Sequence, residues 1–169
     1  TFTSQNMATT VTVLNRMVPG YEYMVHPLAR TGALPVTYYY MLNTADDQGL
    51  QTLEALMTFL AQHYGNAANG FGQIDNWIIG NEVNASGNWN FLQYTDVASY
   101  SKIYAKELRV CYNAIRSTNA NATVAMGIDQ QWNRNEAVTA TGSYDGRAMV
   151  DQVNSYINAQ GNIDWSLSC

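Results

Sequence analysis

The chain has 169 residues, of which 47% are hydrophobic and 12% are charged, and its formal net charge is −5. This apolar content excludes an intrinsically disordered chain, which combines low hydrophobicity with high charge. No apolar run approaches the roughly 20 residues of a membrane span. With only 2 Lys and 6 Arg, the sequence lacks the positive charge that nucleic-acid binding requires, whereas its 18 Asn favour a neutral polar ligand.

Short apolar runs that resemble buried strands alternate with helical patterns along the chain. Residues 10–14 and 36–42 are rich in β-branched and aromatic side chains and predict two strands. The apolar stripe of residues 49–64 predicts a helix, and Asp46 or Asp47 is expected to cap it or to line a cleft.

The second half of the chain repeats this alternation. Residues 76–79 predict a strand, and residues 96–117 predict a helix that Thr95 or Asp96 caps. The remaining predicted elements are a strand at 123–128, a helix at 146–159 that Gly161 ends, and a strand at 163–167.

Strand–helix alternation predicts a parallel α/β sheet. No GxGxxG or P-loop motif follows the first strand, which disfavours a nucleotide-binding fold. The later strands recur every roughly 40–47 residues, which also fits an eight-stranded barrel, although a complete barrel needs about 250 residues or more. We therefore expect residues 1–169 to form a single domain that is part of a (β/α)₈ TIM barrel, holding about strands 2 to 6.

The segment 74–84 carries the most informative polar residues. Its apolar run ends at Gly80, Asn81 and Glu82. In a parallel barrel, the carboxyl ends of the strands form the rim on which active sites lie. Trp77 and Trp89 are close in sequence, and an aromatic wall disfavours an ionised carboxyl group. Glu82 is thus a candidate catalytic acid, and the alternative is an ordinary exposed glutamate after a strand.

The sequence WIIGNEVN at 77–84 resembles the acid/base signature of the large clan of (β/α)₈ glycoside hydrolases. The segments at 37–44, 127–133 and 163–169 resemble strands 3, 5 and 6 of that clan. The ordered set is most similar to an uncharacterised bacterial family of glycosidase-like barrels, a domain of unknown function. The resemblance implies that Glu82 is the general acid/base of a retaining reaction.

In that clan the nucleophile is a second glutamate on strand 7, so the resemblance implies that it lies beyond residue 169. Asp129 is the best second carboxylate within these residues, and a contact with a substrate hydroxyl is the more favoured role for it. Aromatic and amide side chains suit the apolar faces and hydroxyl edges of sugars. The predicted substrate-binding residues are Asn81, Asn43, Trp89, Asn90, Asp129, Trp132 and Asn133.

The first functional hypothesis is a glycosidase that hydrolyses O-glycosyl bonds of an oligo- or polysaccharide. A non-catalytic carbohydrate-binding barrel and a structural piece without a ligand are the alternatives. The sequence contains no metal-ligand spacing, and the reaction requires no metal or organic cofactor. We expect a bacterial protein that is secreted or held at the cell surface, and we expect the 169 residues alone to be inactive.

Overall fold

The structure is a computed structural model that describes residues 2–93, 95–133 and 143–169. Its strands and α-helices are, in chain order, β1 (Thr10–Val13), α1 (Asp47–Tyr64), β2 (Asn76–Ile79), α2 (Ser86–Trp89), α3 (Val97–Thr118), β3 (Thr123–Gly127), α4 (Gly146–Ala159) and β4 (Ser166–Ser168). The three long predicted helices and four of the five predicted strands are confirmed, with bounds shifted by up to three residues. None of the described helices is long and apolar enough to cross a bilayer.

The four strands form one parallel sheet in the order β1-β2-β3-β4. Each strand therefore lies beside the strand that precedes it in sequence, and the order never reverses. Because crossovers between parallel strands are right-handed, a sheet with this order has its crossover helices on one face. The mixed α/β architecture with a parallel sheet agrees with the sequence-based prediction.

The two faces of the sheet differ in composition. Residues paired across parallel strands share a face, so the register sorts the side chains of each strand into two sets. Val11, Trp77 and Val124 form a row that packs into the hydrophobic core. The next row along the strands, Thr12, Ile78, Ala125 and Ser166, is on the opposite face. On this opposite face Thr12 and Ser166 are exposed and Ile78 is only half-buried.

Aspartates begin the long helices. Asp96 caps α3 by accepting a hydrogen bond from the Ser99 amide at 2.9 Å, and Asp46 caps α1 by accepting one from the Gly49 amide at 2.8 Å. A side-chain oxygen at this position satisfies one of the amides that the first turn leaves without an intrahelical partner. Of the two cap candidates that the sequence offers for each helix, the structure uses Asp46 for α1 and Asp96 for α3.

Helix α3 lies at the centre of the helical layer, in contact with both α1 and α4. Its buried face includes Tyr100, Tyr104 and Leu108, which have no exposed surface. The Tyr104 hydroxyl donates to the Ile79 carbonyl at 2.6 Å, so α3 is anchored to the last residue of β2. This contact fixes the point at which the chain leaves the sheet toward Glu82.

The strand predicted at 36–42 is wrong. β1 pairs directly with β2, and in segment 36–42 only Tyr40 and Leu42 make isolated bridges, to Phe91 and Val25 respectively. The backbone amide of Tyr38 donates to the Asn88 carbonyl at 2.9 Å, so this segment lies against the connection after β2. Its β-branched and aromatic residues therefore pack on that connection, and the described sheet has one strand fewer than expected.

Candidate active site

The strands all end at the same edge of the parallel sheet. We call the residues that follow them, 14–16, 80–84, 128–133 and 169, the carboxyl edge. The Gly80 amide donates to the Val13 carbonyl at 3.0 Å, and the Val83 amide donates to the Gly127 carbonyl at 2.9 Å. These bonds hold the segment of Glu82 between the ends of β1 and β3, where Asn81 and Glu82 are half-buried.

Glu82 has a left-handed backbone, with φ at +43°. A residue with a side chain loses roughly 1–2 kcal/mol in this conformation, and such strain concentrates at functional sites. Gly80 precedes it with φ at +78°, and a Cβ there would overlap the Val83 side chain. The glycine therefore allows the chain to turn sharply out of β2 and to present Glu82 at the carboxyl edge.

Asn84 and Asp129 form a reciprocal pair that joins the segments after β2 and β3. Asn84 Nδ2 donates to Asp129 Oδ1 at 2.5 Å, and the Asp129 amide donates to Asn84 Oδ1 at 2.9 Å. Asp129 Oδ1 also accepts from the Gln131 amide at 2.8 Å. Asn84 is fully buried and Asp129 is 7% exposed. Asp129 was predicted to bind a substrate hydroxyl, and in the structure its carboxyl group binds Asn84 and the Gln131 amide.

The start of α4 packs against the same segments. The Tyr144 amide donates to the Asn84 carbonyl at 2.7 Å, and the Gly146 amide donates to the Gln131 carbonyl at 3.1 Å. A Cβ at Gly146 would lie 3.1 Å from that carbonyl oxygen, which is tighter than ordinary packing. Helix α4 therefore restrains the connections after β2 and β3 together.

An aromatic cluster lies beside the connection after β2. The Trp89 ring stacks on Tyr39 with ring centroids 5.7 Å apart, and its centroid is 5.6 Å from that of Tyr38. Tyr38 is 56% exposed and Trp89 is half-buried. The sequence predicted Trp89 as a substrate contact, and the structure joins it to two tyrosines that offer a larger apolar surface. Such a surface suits the C–H face of a sugar ring.

Two predicted substrate-binding asparagines lie in the interior. Asn90 is 3% exposed, and its Nδ2 donates to the Tyr100 hydroxyl at 3.1 Å. Asn43 is 1% exposed; its Nδ2 donates to the Tyr23 carbonyl at 2.8 Å and to Asp46 Oδ2 at 2.9 Å. These bonds give both amides a structural role, and the contacts of Asn43 lie at the start of α1 instead of at Glu82.

Trp132 and Asn133 follow Asp129 on the carboxyl edge and are both exposed. The Trp132 carbonyl accepts a hydrogen bond from the Arg147 amide at 3.0 Å, so α4 holds the backbone at this point. Trp132 is 39% exposed and remains available for a ligand. Within the described part of the chain, no group of three or more His, Cys, Asp and Glu side chains could hold a metal ion.

The whole chain, residues 1–169, matches the model of a family of unknown function, DUF5722. The chain belongs to this family. No curated protein and no solved structure matches it. Membership of DUF5722 agrees with the sequence-based expectation of a domain of unknown function, whereas the glycoside hydrolase clan stays a prediction.

The interior of this DUF5722 chain holds a buried carboxyl group that is not among the residues predicted from the sequence. Glu107 on α3 is 1% exposed, and its Oε2 accepts a hydrogen bond from the Leu42 amide at 3.2 Å. Burial raises the pKa of Glu107 from its ordinary value of 4.5 to about 8. The signal was present in the sequence, because Glu107 falls on the apolar stripe, three residues after Tyr104 and four before Cys111.

The sequence also gave no indication of the role of Asn84. Its partner Asp129 is 45 positions away, and spacing alone does not pair two residues at that distance. The parallel sheet brings them together because both follow the carboxyl ends of neighbouring strands.

Proposed function

We propose that the described sheet is an arc of a (β/α)₈ barrel. A doubly wound sheet reverses its strand order, which places helices on both faces. The order β1-β2-β3-β4 has no reversal. All-parallel sheets normally have both faces covered, so the half-open face that carries Thr12 and Ile78 is the inner wall of a barrel that further strands complete. If β2 corresponds to strand 4 of the clan, β1 becomes strand 3 and the arc spans strands 3 to 6.

The edge beside β1 supports this interpretation. β1 pairs with β2 on one side only within the described residues. A cavity of about 750 Å³ lies beside it, and its lining includes Phe2, Val11, Phe71 and Ile74. Phe2 and Phe71 are exposed, which is unusual for aromatic side chains that lie close together. In a closed barrel, the preceding strand and its helix would cover this apolar surface.

The function that the site supports best is hydrolysis of an O-glycosidic bond, with Glu82 as general acid/base. The observation that carries this proposal is the left-handed backbone of Glu82, at the carboxyl end of β2. Evolution retains such strain where a side chain must have one particular position. The surface of Trp89 and Tyr39, on the connection that follows Glu82 in the chain, suits a neutral sugar, which fits a protein with net charge −5.

The proposed reaction has two steps. In the first, Glu82 protonates the glycosidic oxygen as its bond to the anomeric carbon breaks, and an enzyme carboxylate bonds to that carbon. In the second, Glu82 removes a proton from water, and the water oxygen replaces the enzyme carboxylate. Asp129 is already bonded to Asn84 and Gln131. The resemblance to the glycoside hydrolase clan implies that the nucleophile is a second carboxylate beyond residue 169, and we adopt that assignment here.

The substrate is proposed to be an oligo- or polysaccharide of neutral sugars, bound across the aromatic cluster and the exposed Trp132. Asn81 and Asn133 offer amides for hydroxyl groups at the same edge. A bacterial protein that meets such a polymer acts outside the cell, so we propose a secreted or cell-surface location. No metal or organic cofactor takes part in the proposed chemistry.

The test is the Glu82→Gln variant of the full-length protein, assayed on a panel of aryl and unactivated glycosides. We expect turnover of unactivated substrates to fall by a factor on the order of 10²–10⁴, with sugar binding retained. Aryl glycosides with good leaving groups should lose less in the first step, because they need little protonation. Glu54→Gln, at an exposed position on α1, is the matched control and should leave turnover unchanged.

Wild-type turnover by Glu82→Gln on unactivated substrates would remove Glu82 from the mechanism. If the wild-type protein binds glycans in an array but hydrolyses none, the non-catalytic carbohydrate-binding barrel replaces the proposed enzyme. If it neither binds nor hydrolyses them, the carboxyl edge has no carbohydrate ligand, and the structural role is the remaining interpretation.

A further inference from the structure

We propose that Asn84, acting through its pair with Asp129, is a positioning residue that holds Glu82 in its left-handed conformation. The inference rests on the proposed function, because the value of holding Glu82 lies in its reaction. It adds a role for two residues, of which Asn84 is fully buried.

Each of the three residues after Glu82 has a fixed backbone. The Val83 amide donates to the Gly127 carbonyl at 2.9 Å, and the Ala85 amide donates to the Glu82 carbonyl at 2.7 Å. Between them, the Asn84 carbonyl accepts from the Tyr144 amide at 2.7 Å. The turn is therefore bonded to the end of β3 and to the segment that leads into α4.

The Asn84 side chain adds the bonds that bridge these elements. Its Nδ2 lies 2.5 Å from Asp129 Oδ1, and its Oδ1 lies 2.9 Å from the Asp129 amide nitrogen. A hydrogen bond to a carboxylate is stronger than one between neutral groups, and exclusion of water strengthens it further. The pair thus resists the relaxation of Glu82 to a right-handed or extended backbone, which would be more favourable by roughly 1–2 kcal/mol.

Asparagine fits this position because of its paired donor and acceptor. An amide side chain can donate to a carboxylate and accept from a backbone N–H at the same time. An ionised aspartate at position 84 would place a second acceptor against Asp129. Glutamine has the same groups on a chain longer by one methylene, and it would displace either the pair or the turn. Exchanging the two residue types between positions 84 and 129 keeps the net charge and both bonds of the pair. The Gln131 amide, which donates to the same Asp129 Oδ1, loses its acceptor in this exchange.

The experiment uses the full-length protein with selectively ¹³C,¹⁵N-labelled glutamate. The Glu82 resonance is assigned by its loss in Glu82→Gln, and its Cα shift and HN–Hα coupling report the backbone conformation. In Asn84→Ala and Asn84→Gln, we expect this resonance to move toward values for a right-handed or extended residue. The double variant with Asn84→Asp and Asp129→Asn should move it back toward the wild-type value, although the Gln131 bond stays broken. Asn113→Asp on α3 is an exposed control.

Kinetics on an unactivated glycoside, whose leaving group needs protonation by Glu82, give the second readout. We expect Asn84→Ala to lower kcat by a factor on the order of 10–100 with KM nearly unchanged, because a small misplacement of the acid weakens the chemical step. The exchanged double variant should recover part of that loss. A merely structural role would change thermal stability and leave the Glu82 signal and the split between kcat and KM as they are.

An unchanged Glu82 resonance in a folded Asn84→Ala variant would overturn the inference. If the single variants do not fold, the double variant decides: native stability with a shifted Glu82 signal would also overturn it. A wild-type protein that turns over no glycoside would end the proposed function. In that case a shifted Glu82 signal in Asn84→Ala would still show that Asn84 holds the backbone of Glu82, without a role in catalysis. Failure of the proposed function and failure of this inference are therefore distinguishable.

Discussion

Two glutamates of this chain lie in opposite environments. Glu82 is half-buried at the carboxyl edge with a strained backbone, whereas Glu107 is enclosed on α3. Since burial disfavours the ionised form, the pKa of Glu107 rises to about 8, and its carboxyl group is mostly neutral at pH 7. Glu107 holds the Leu42 amide from the interior, which is a structural role. We therefore expect substitution of Glu82 to affect turnover and substitution of Glu107 to affect stability.

The buried carboxyl group of Glu107 should make the stability of the protein depend on pH. Below pH 4.5, Glu107 is protonated in both the folded and the unfolded chain. As the pH rises toward about 8, the unfolded chain releases this proton while the folded chain retains it. The contribution of Glu107 to the free energy of unfolding therefore falls through this window, by on the order of 3–5 kcal/mol, and then levels off.

Glu107→Gln removes this ionisation and keeps an oxygen that accepts from Leu42. We expect the variant to be more stable than the wild type at pH 8 and similar to it near pH 4.5, as measured by urea unfolding across this range. Glu54→Gln, exposed on α1, should follow the wild-type pH curve. Parallel pH curves for Glu107→Gln and the wild type would show that Glu107 ionises freely in the folded protein.

At the scale of elements, the helices were predictable because their signals are local. An apolar stripe and an aspartate cap define α1 and α3 within a single segment of sequence. The strand prediction for segment 36–42 was wrong because its β-branched and aromatic side chains make tertiary contacts outside the sheet. Tyr40 pairs with Phe91, and Tyr39 stacks on Trp89. Strand propensity reports a side chain's fit to a half-buried surface, and the sheet is only one such surface.

The hydroxyl of Tyr100 connects α3 to the segment that follows Glu82. It donates to the Val83 carbonyl at 2.8 Å and accepts from Asn90 Nδ2 at 3.1 Å. In Tyr100→Phe, these two buried groups lose a partner, which costs about 1–3 kcal/mol for each group left unsatisfied. We expect a lower free energy of unfolding in urea and faster hydrogen exchange of the Val83 amide.

Tyr156→Phe is the matched control for this prediction, because Tyr156 is half-buried on α4. It should change both measurements much less. Equal effects of the two substitutions would mean that the Tyr100 hydroxyl does not hold the connection after β2, and that packing of the ring alone anchors α3 there.

At the scale of the whole molecule, the sequence predicted that the candidate site residues follow strand ends, but it did not predict the bonds that these residues make. Glu82 and Asp129 were predicted from their positions after apolar runs, since parallel strands end together. The interior roles of Asn43 and Asn90 were not predicted, because a polar side chain after a strand can face either solvent or the core. That choice depends on distant partners such as Tyr23 and Tyr100, which spacing does not specify.

The last prediction concerns the 169 residues expressed alone. Within residues 2–93, 95–133 and 143–169, β1 and β4 each pair with a strand on one side only, and the face that carries Thr12 and Ile78 is half-open. Unpaired strand edges and exposed apolar surface favour self-association. We expect the isolated chain to associate in sedimentation experiments and to show no glycosidase turnover, since the proposed nucleophile is outside it. The full-length protein should be active and should not associate through these edges.

Two outcomes would contradict this prediction, each in a different way. A stable isolated monomer would mean that the described elements already cover their own edges, and the barrel arc would lose its main support. Hydrolysis by the isolated chain would place both carboxylates within residues 1–169. Asp129 would then be the leading nucleophile, and its bond to Asn84 Nδ2 would have to open during the reaction. Asp129→Asn in the isolated chain would test this, because it removes the charge and keeps the side-chain shape.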